Sequence, residues 1–141
     1  MAGARFGYLM LAVVAIGLGL AVRQPGLGLS PFAAKYGGAV VWAMMVYFLV
    51  RAVAPRLPLL ASALLAGAIA WGWEATQLID AEWFDTIRAT RWGQLVFGRT
   101  FAMEDVIAYW IGIAVAALLE ATHPSRERPG TKLVGTPPTA Q

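Results

Sequence analysis

Apolar residues fall along this chain in four blocks, at residues 6–22, 37–53, 59–79 and 101–122. Each has the roughly 17–25 residue length at which a helix crosses a hydrocarbon core. The first two carry charge only at their ends, at Arg5, Arg23 and Arg51. The third holds Glu74, and the fourth holds Glu104, Asp105 and Glu120. Between blocks, residues 23–36 are rich in proline and glycine and read as a loop, while residues 54–58 make a tight connection. The pattern predicts an all-α fold: one integral membrane bundle of four transmembrane helices over residues 1–122. Residues 123–141 carry no apolar periodicity and read as a disordered polar tail.

Composition supports lipid as the solvent. The 141 residues are 59% hydrophobic and 13% charged, with a mean hydropathy of +0.63. Soluble domains sit nearer 45–50% apolar and about 25% charged, and a short soluble chain leaves too much area exposed to hide such a surplus. The net charge of +3 comes from basic residues scattered between the blocks. They form no stripe, so they read as membrane-orienting charges and no nucleic-acid partner is expected.

Counting Lys and Arg outside the blocks puts Arg5, Arg51, Arg56, Arg126, Arg128 and Lys132 on one side. Arg23, Lys35, Arg88, Arg91 and Arg99 fall on the other. The larger group predicts both termini in the cytoplasm. The first block also has the basic start of a signal peptide, with Gly19-Leu20-Ala21 as a cleavage site. Its length and the immediate Arg23 favour an uncleaved helix.

The chain has no cysteine, and its one histidine, His123, lies in the tail, where it reads as functionally silent. Disulfides, thiolate sites and cysteine nucleophiles are excluded, and no metal or other cofactor is expected.

Glu74 is the most informative residue. A carboxylate inside a span costs on the order of 2.5–3.5 kcal/mol at mid-helix, and the negative end of the helix dipole adds to the penalty. Ser62, Ala66, Ala70 and Glu74 recur every fourth residue, a small-residue stripe of the kind along which membrane helices approach closely. Glu74 therefore points into the bundle, with Gln77 on nearly the same face. In the fourth block Asp105, Ala108, Gly112 and Ala116 form a matching stripe, flanked by Tyr109. The two blocks run in opposite directions, so Glu74 and Asp105 fall roughly 6–8 Å inside the same boundary.

The segment between them, residues 80–100, alternates Trp83, Phe84, Ile87 and Trp92 with Arg88, Arg91 and Arg99, a mixture typical of the membrane interface. Its early part, from Asp80 as N-cap to about Thr90, predicts a short interfacial helix. Arg88 and Arg91 are secondary interfacial candidates. Arg99 stands just before the fourth block, within reach of Glu74 or Asp105. Blander roles compete with these. Glu104 and Asp105 occupy a first helical turn, where acids are favoured by the dipole alone, and Glu74 fits half of a buried Glu–Arg pair. Glu120 reads as a helix-end charge snorkelling to water. The first two blocks read as packing and anchoring elements.

The stretches Glu74-Ala-Thr-Gln77 and Arg99-Thr-Phe-Ala-Met-Glu-Asp105-Val-Ile-Ala-Tyr109-Trp-Ile-Gly112 resemble the VanZ-like membrane proteins. Those carry Glu-x-x-Gln on one span, then Arg, Asp, Asn and Gly leading into the next. The chain is more closely similar to a small bacterial branch, domain of unknown function 2809. In that branch the connecting segment reads much like residues 83–98 here, and Arg23 with Gly26-Leu-Gly28 and Trp42 to Tyr47 fit as well. The resemblance covers about residues 20–115 and marks Glu74, Gln77, Arg99, Asp105 and Gly112. It departs at Tyr109, where the wider pattern has asparagine. VanZ-like proteins are linked to glycopeptide (teicoplanin) resistance, so the resemblance implies a multi-pass protein of the bacterial inner membrane with a cell-envelope role.

Three functions fit the residues. The first is an accessory protein binding an anionic lipid or polyprenyl phosphate, with Arg99 and Arg88 on the head group and Glu74, Gln77, Asp105 and Tyr109 shaping the pocket; arginine suits phosphate because it is always charged and binds bidentately. The second is a structural or interaction protein whose polar cluster pins two helices. The third is a lipid-directed enzyme using paired carboxylates. Without a nucleophile, an intramembrane histidine or a phosphate loop, binding is favoured over catalysis. Oligomerisation is left open.

Overall fold

The computed structural model describes residues 2–76, 82–90 and 103–122. Among these described residues, five α-helices and one 3-10 turn follow in order: α1 (Ala2–Val22), the turn Pro25–Leu27, α2 (Pro31–Val53), α3 (Leu59–Ala75), α4 (Glu82–Ala89) and α5 (Met103–Thr122). Among the described residues there is no strand. Helices α1, α2 and α5 are long and apolar enough to cross a membrane. Helix α3, a mostly apolar helix, is described over 17 residues, about 25 Å at 1.5 Å per residue. Residues 77–79 of the third predicted block and the N-cap expected at Asp80 lie outside the described residues, as does the tail from His123 onward.

Helix α2 starts at Pro31, where the sequence reading kept a loop to residue 36. The cause is a strong start signal. Ser30 Oγ accepts a hydrogen bond from the Ala33 amide at 3.2 Å, and Pro31 occupies the first helical position, where its missing N–H costs nothing. The remaining connection closes through Gly28, whose φ of +63° suits a residue without Cβ.

Helix α2 is the hub, packing against α1, α3 and α5, while α3 also packs against α5. Small residues permit the approach. Ala39 and Ala43 on α2, Ala66 and Ala70 on α3, and Ala108 and Ala116 on α5 are all buried. At Gly112 an added Cβ would stand 3.0 Å from Ala43 Cβ and closer still to the Val40 carbonyl oxygen. This is backbone-to-backbone contact of the kind that draws membrane helices together.

The outer surface is apolar: Phe6, Val13 and Leu18 on α1, Leu60 and Leu64 on α3, and Ile107, Ile111 and Leu118 on α5 are exposed. Soluble monomers rarely show continuous apolar surface on this scale. The first helix contributes little to the core beyond Ala12 and Ala15. Tyr8, however, ties it to the far end of α5.

Candidate functional site

The alternating helix directions bring polar side chains together at both ends of the bundle. One end gathers the end of α1, the starts of α2 and α5, and the end of α3. Here the stripe on α3 is fully inside: Ser62, Ala66 and Ala70 are 0% exposed and Glu74 is 1%. Tyr109 donates its hydroxyl to Glu74 Oε2 at 2.9 Å, joining α3 to α5. The Trp42 ring of α2 stacks at a tilt on Tyr109, centroids 5.3 Å apart, and on Trp73, 6.1 Å apart. The carboxylate thus sits behind an aromatic wall.

One helical turn before Tyr109, Asp105 meets α2. Lys35 Nζ lies 3.4 Å from Asp105 Oδ1, with the lysine half exposed and the acid mostly buried. The same ammonium stands 5.0 Å from the Tyr36 ring centroid, a cation–π contact. Sequence reasoning assigned Lys35 to membrane orientation and placed Arg99 within reach of either Glu74 or Asp105. The early start of α2 at Ser30 and Pro31 is the signal that places Lys35 on a helix, one turn before Gly38.

Arg23, at the end of α1, fills the space above Gly38; its Nε lies 2.7 Å from where a Cβ on Gly38 would be. The absent side chain is what lets the guanidinium lie against α2. Arg23 is among the residues that line an apolar groove of about 590 Å³, within the range of small-molecule sites. The groove runs between α1 and α3 over α2, with Ile16 and Gly19 on one wall, Leu65 and Trp73 on the other, and Trp42 and Val46 on the floor. Trp42 therefore faces both the groove and the Glu74–Tyr109 pair. Gln77, Arg91 and Arg99, expected beside Glu74 or at the interface, lie outside the described residues. Arg88 lies on α4, and its side chain is likewise outside them.

The opposite end corrects the sequence reading. Glu120, expected to snorkel to water, accepts hydrogen bonds from Tyr8 at 2.7 Å and Tyr47 at 2.8 Å. Arg51 Nε adds a third at 2.9 Å, and Arg51 Nη2 closes a bidentate ion pair on the same carboxylate. Arg51 Nη1 donates to the Leu57 carbonyl at 2.7 Å and to Ser62 Oγ at 3.3 Å. Arg51 is 8% exposed, not a boundary charge in water. The network takes a residue from α1, two from α2, one from the α2–α3 connection, one from α3 and one from α5. It locks the bundle and is occupied internally. The first two helices are therefore more than packing elements, since they supply Tyr8, Tyr47 and Arg51 here and Arg23 and Lys35 at the other end.

The fold and the two polar clusters define a small helical membrane protein with buried charge at each end. A model of the family described as Protein of unknown function (DUF2809) matches residues 29–113, more than half of the chain, and the chain belongs to that family. The matched stretch holds Lys35, Glu74, Asp105 and Tyr109. No solved structure matches the chain.

Proposed function

We propose that this is a four-span protein of the bacterial inner membrane, with α3 as the remaining span and α4 lying at the interface, and that it binds the phosphate head group of an anionic lipid. The observation that carries the reading is a basic side chain, Arg23, on the lining of an apolar groove, with the half-exposed ammonium of Lys35 at the same end of the bundle. Arginine offers phosphate a planar fork of donors. Trp73, near the described end of α3, suits the interfacial depth, where one side of the ring is apolar and the other wet. Arg88, Arg91 and Arg99 belong to the segment joining α3 to α5 and extend the basic surface in this reading. The cell-envelope role and the wider VanZ-like kinship rest on the sequence resemblance at Glu74, Asp105 and Gly112, and both are part of the proposal.

Lipid-resolved native mass spectrometry tests it. Arg23→Ala, Lys35→Ala and Arg99→Ala should each lose co-purifying anionic lipid relative to the wild type. Wild-type retention in all three refutes head-group binding at this end.

A structural reading has its own support in the Tyr109–Glu74 hydrogen bond, which pins α3 to α5. It predicts that Glu74→Gln with Arg99→Gln remains both stable and lipid-loaded. A stable double variant that has lost its lipid overturns it. The lipid-directed enzyme is weaker, because Glu74 is engaged by Tyr109 and Asp105 by Lys35.

A further inference from the structure

In sequence, the orientation of the bundle hangs on a margin of one basic residue. Six Lys and Arg fall on the side of the termini and five on the other, and the side richer in these residues stays in the cytoplasm. The fold removes that margin. Arg5, Arg23, Lys35 and Arg56 are exposed. Arg51 is 8% exposed and closes its ion pair on Glu120 inside the bundle. It belongs to α2 itself, two residues short of the helix end at Val53. A guanidinium neutralised there brings no net charge to either boundary, so it has no preference for an anionic leaflet.

Without Arg51 the first group is Arg5, Arg56, Arg126, Arg128 and Lys132. The second is Arg23, Lys35, Arg88, Arg91 and Arg99, five against five. All ten stand within about 15–20 residues of a span end, the range over which such charges orient a chain. Acidic residues contribute little to the choice. The connections at 23–30 and 54–58 are short, so no folded domain among the described residues ties one end of the bundle to one side.

We infer that the basic residues are too evenly balanced to fix one orientation, and that the chain inserts both ways, one population inverted relative to the other. This rests on the four-span reading above, and it sets the Lys35 end of the bundle in both leaflets. One Lys or Arg near an anionic leaflet biases the ratio roughly fivefold. With a margin of one charge at most, whether or not Arg51 is counted, the minor orientation holds at least about one-sixth of the molecules.

The test uses the full chain in right-side-out spheroplasts. Gly3→Cys and Gly26→Cys stand at opposite ends of α1, leave the charge unchanged and meet no cysteine background. Nothing lies within 4 Å of a Cβ at Gly26. An impermeant maleimide is applied before lysis and a distinguishable one after it, with a cytosolic thiol protein of the host as the control for leakage. Within any one molecule the two positions lie on opposite sides, so the fractions labelled from outside should be partial and complementary. Gln24→Lys and Thr122→Lys each add one charge at an exposed position, on opposite sides. They should move the ratio roughly fivefold in opposite directions. Complete outside labelling at one position and none at the other overturns the inference and leaves the four-span reading standing. A ratio that neither lysine moves overturns it as well. Complete labelling, or complete protection, of both positions removes α1 as a span and defeats the four-span reading too. The two cysteine variants show whether both orientations exist even where a lysine variant fails to fold.

Discussion

Gly112→Ala is a sharp probe of the crossing between α2 and α5. The methyl group would stand 3.0 Å from Ala43 Cβ and nearer still to the Val40 carbonyl oxygen. Carbon atoms rest at about 3.5–4.0 Å, so the helices would have to part by roughly 0.5–1 Å. No side chain can rotate away, because the obstacles are the Val40 backbone carbonyl and the Ala43 Cβ, which is fixed to its own backbone. Overpacking of this kind costs about 1–3 kcal/mol, and the gain from replacing a mid-helix glycine with alanine offsets roughly 0.5–1 kcal/mol of it. The net expectation is a loss of about 1–2 kcal/mol. Gly72→Ala is the matched control, since nothing lies within 4 Å of a Cβ there; it should be neutral or slightly stabilising. Reversible unfolding of both variants in mixed micelles measures the difference. Equal stability of the two variants would refute the claim that the α2–α5 crossing is a backbone contact.

Other consequences follow from the two polar clusters. Arg51→Met and Glu120→Gln should each destabilise by about 1–3 kcal/mol, because each leaves a largely buried partner without its charge. Their double variant should lose less than the sum, and strict additivity in the cycle would show that the pair is not coupled. Tyr109→Phe removes one hydrogen bond to Glu74 and should cost about 1 kcal/mol, in keeping with polar pairs inside membranes; an unchanged unfolding midpoint would place that bond outside the folded ensemble. Because the chain has no cysteine, single cysteines at Gly3, Gly26 and Arg56 report topology without background. A membrane-impermeant maleimide should label Gly26→Cys from the side opposite to the other two, and labelling of all three from one side would rule out the four-span reading.

Much of the first polar cluster was legible in the sequence. The four-residue spacing from Ser62 to Glu74 requires a face of small side chains ending in an acid, and that face is buried. The opposed directions of the third and fourth blocks brought Tyr109 to the depth of Glu74. The partner of Asp105 was not legible, because Lys35 stood in a stretch read as loop; the Ser30-Pro31 start signal was present and outweighed by the surrounding glycine and proline. The second cluster was misread for a different reason. A charge at the end of an apolar block is compatible both with water and with a neighbour, and one helix's periodicity does not tell the two apart.

The sequence by itself determined that this chain is a set of apolar helices suited to a membrane. Block length and the absence of interrupting charge dictate that much, whatever the helices pack against. It also determined that Glu74 must turn inward, since lipid offers a carboxylate nothing. Tertiary structure alone decided who meets whom. Tyr8 and Glu120 are 112 residues apart in the chain, and only the rotation and crossing of α1, α2 and α5 place both beside Arg51. The same crossing gives Gly112 its purpose and leaves open, between α1 and α3, the groove that Arg23 helps to line.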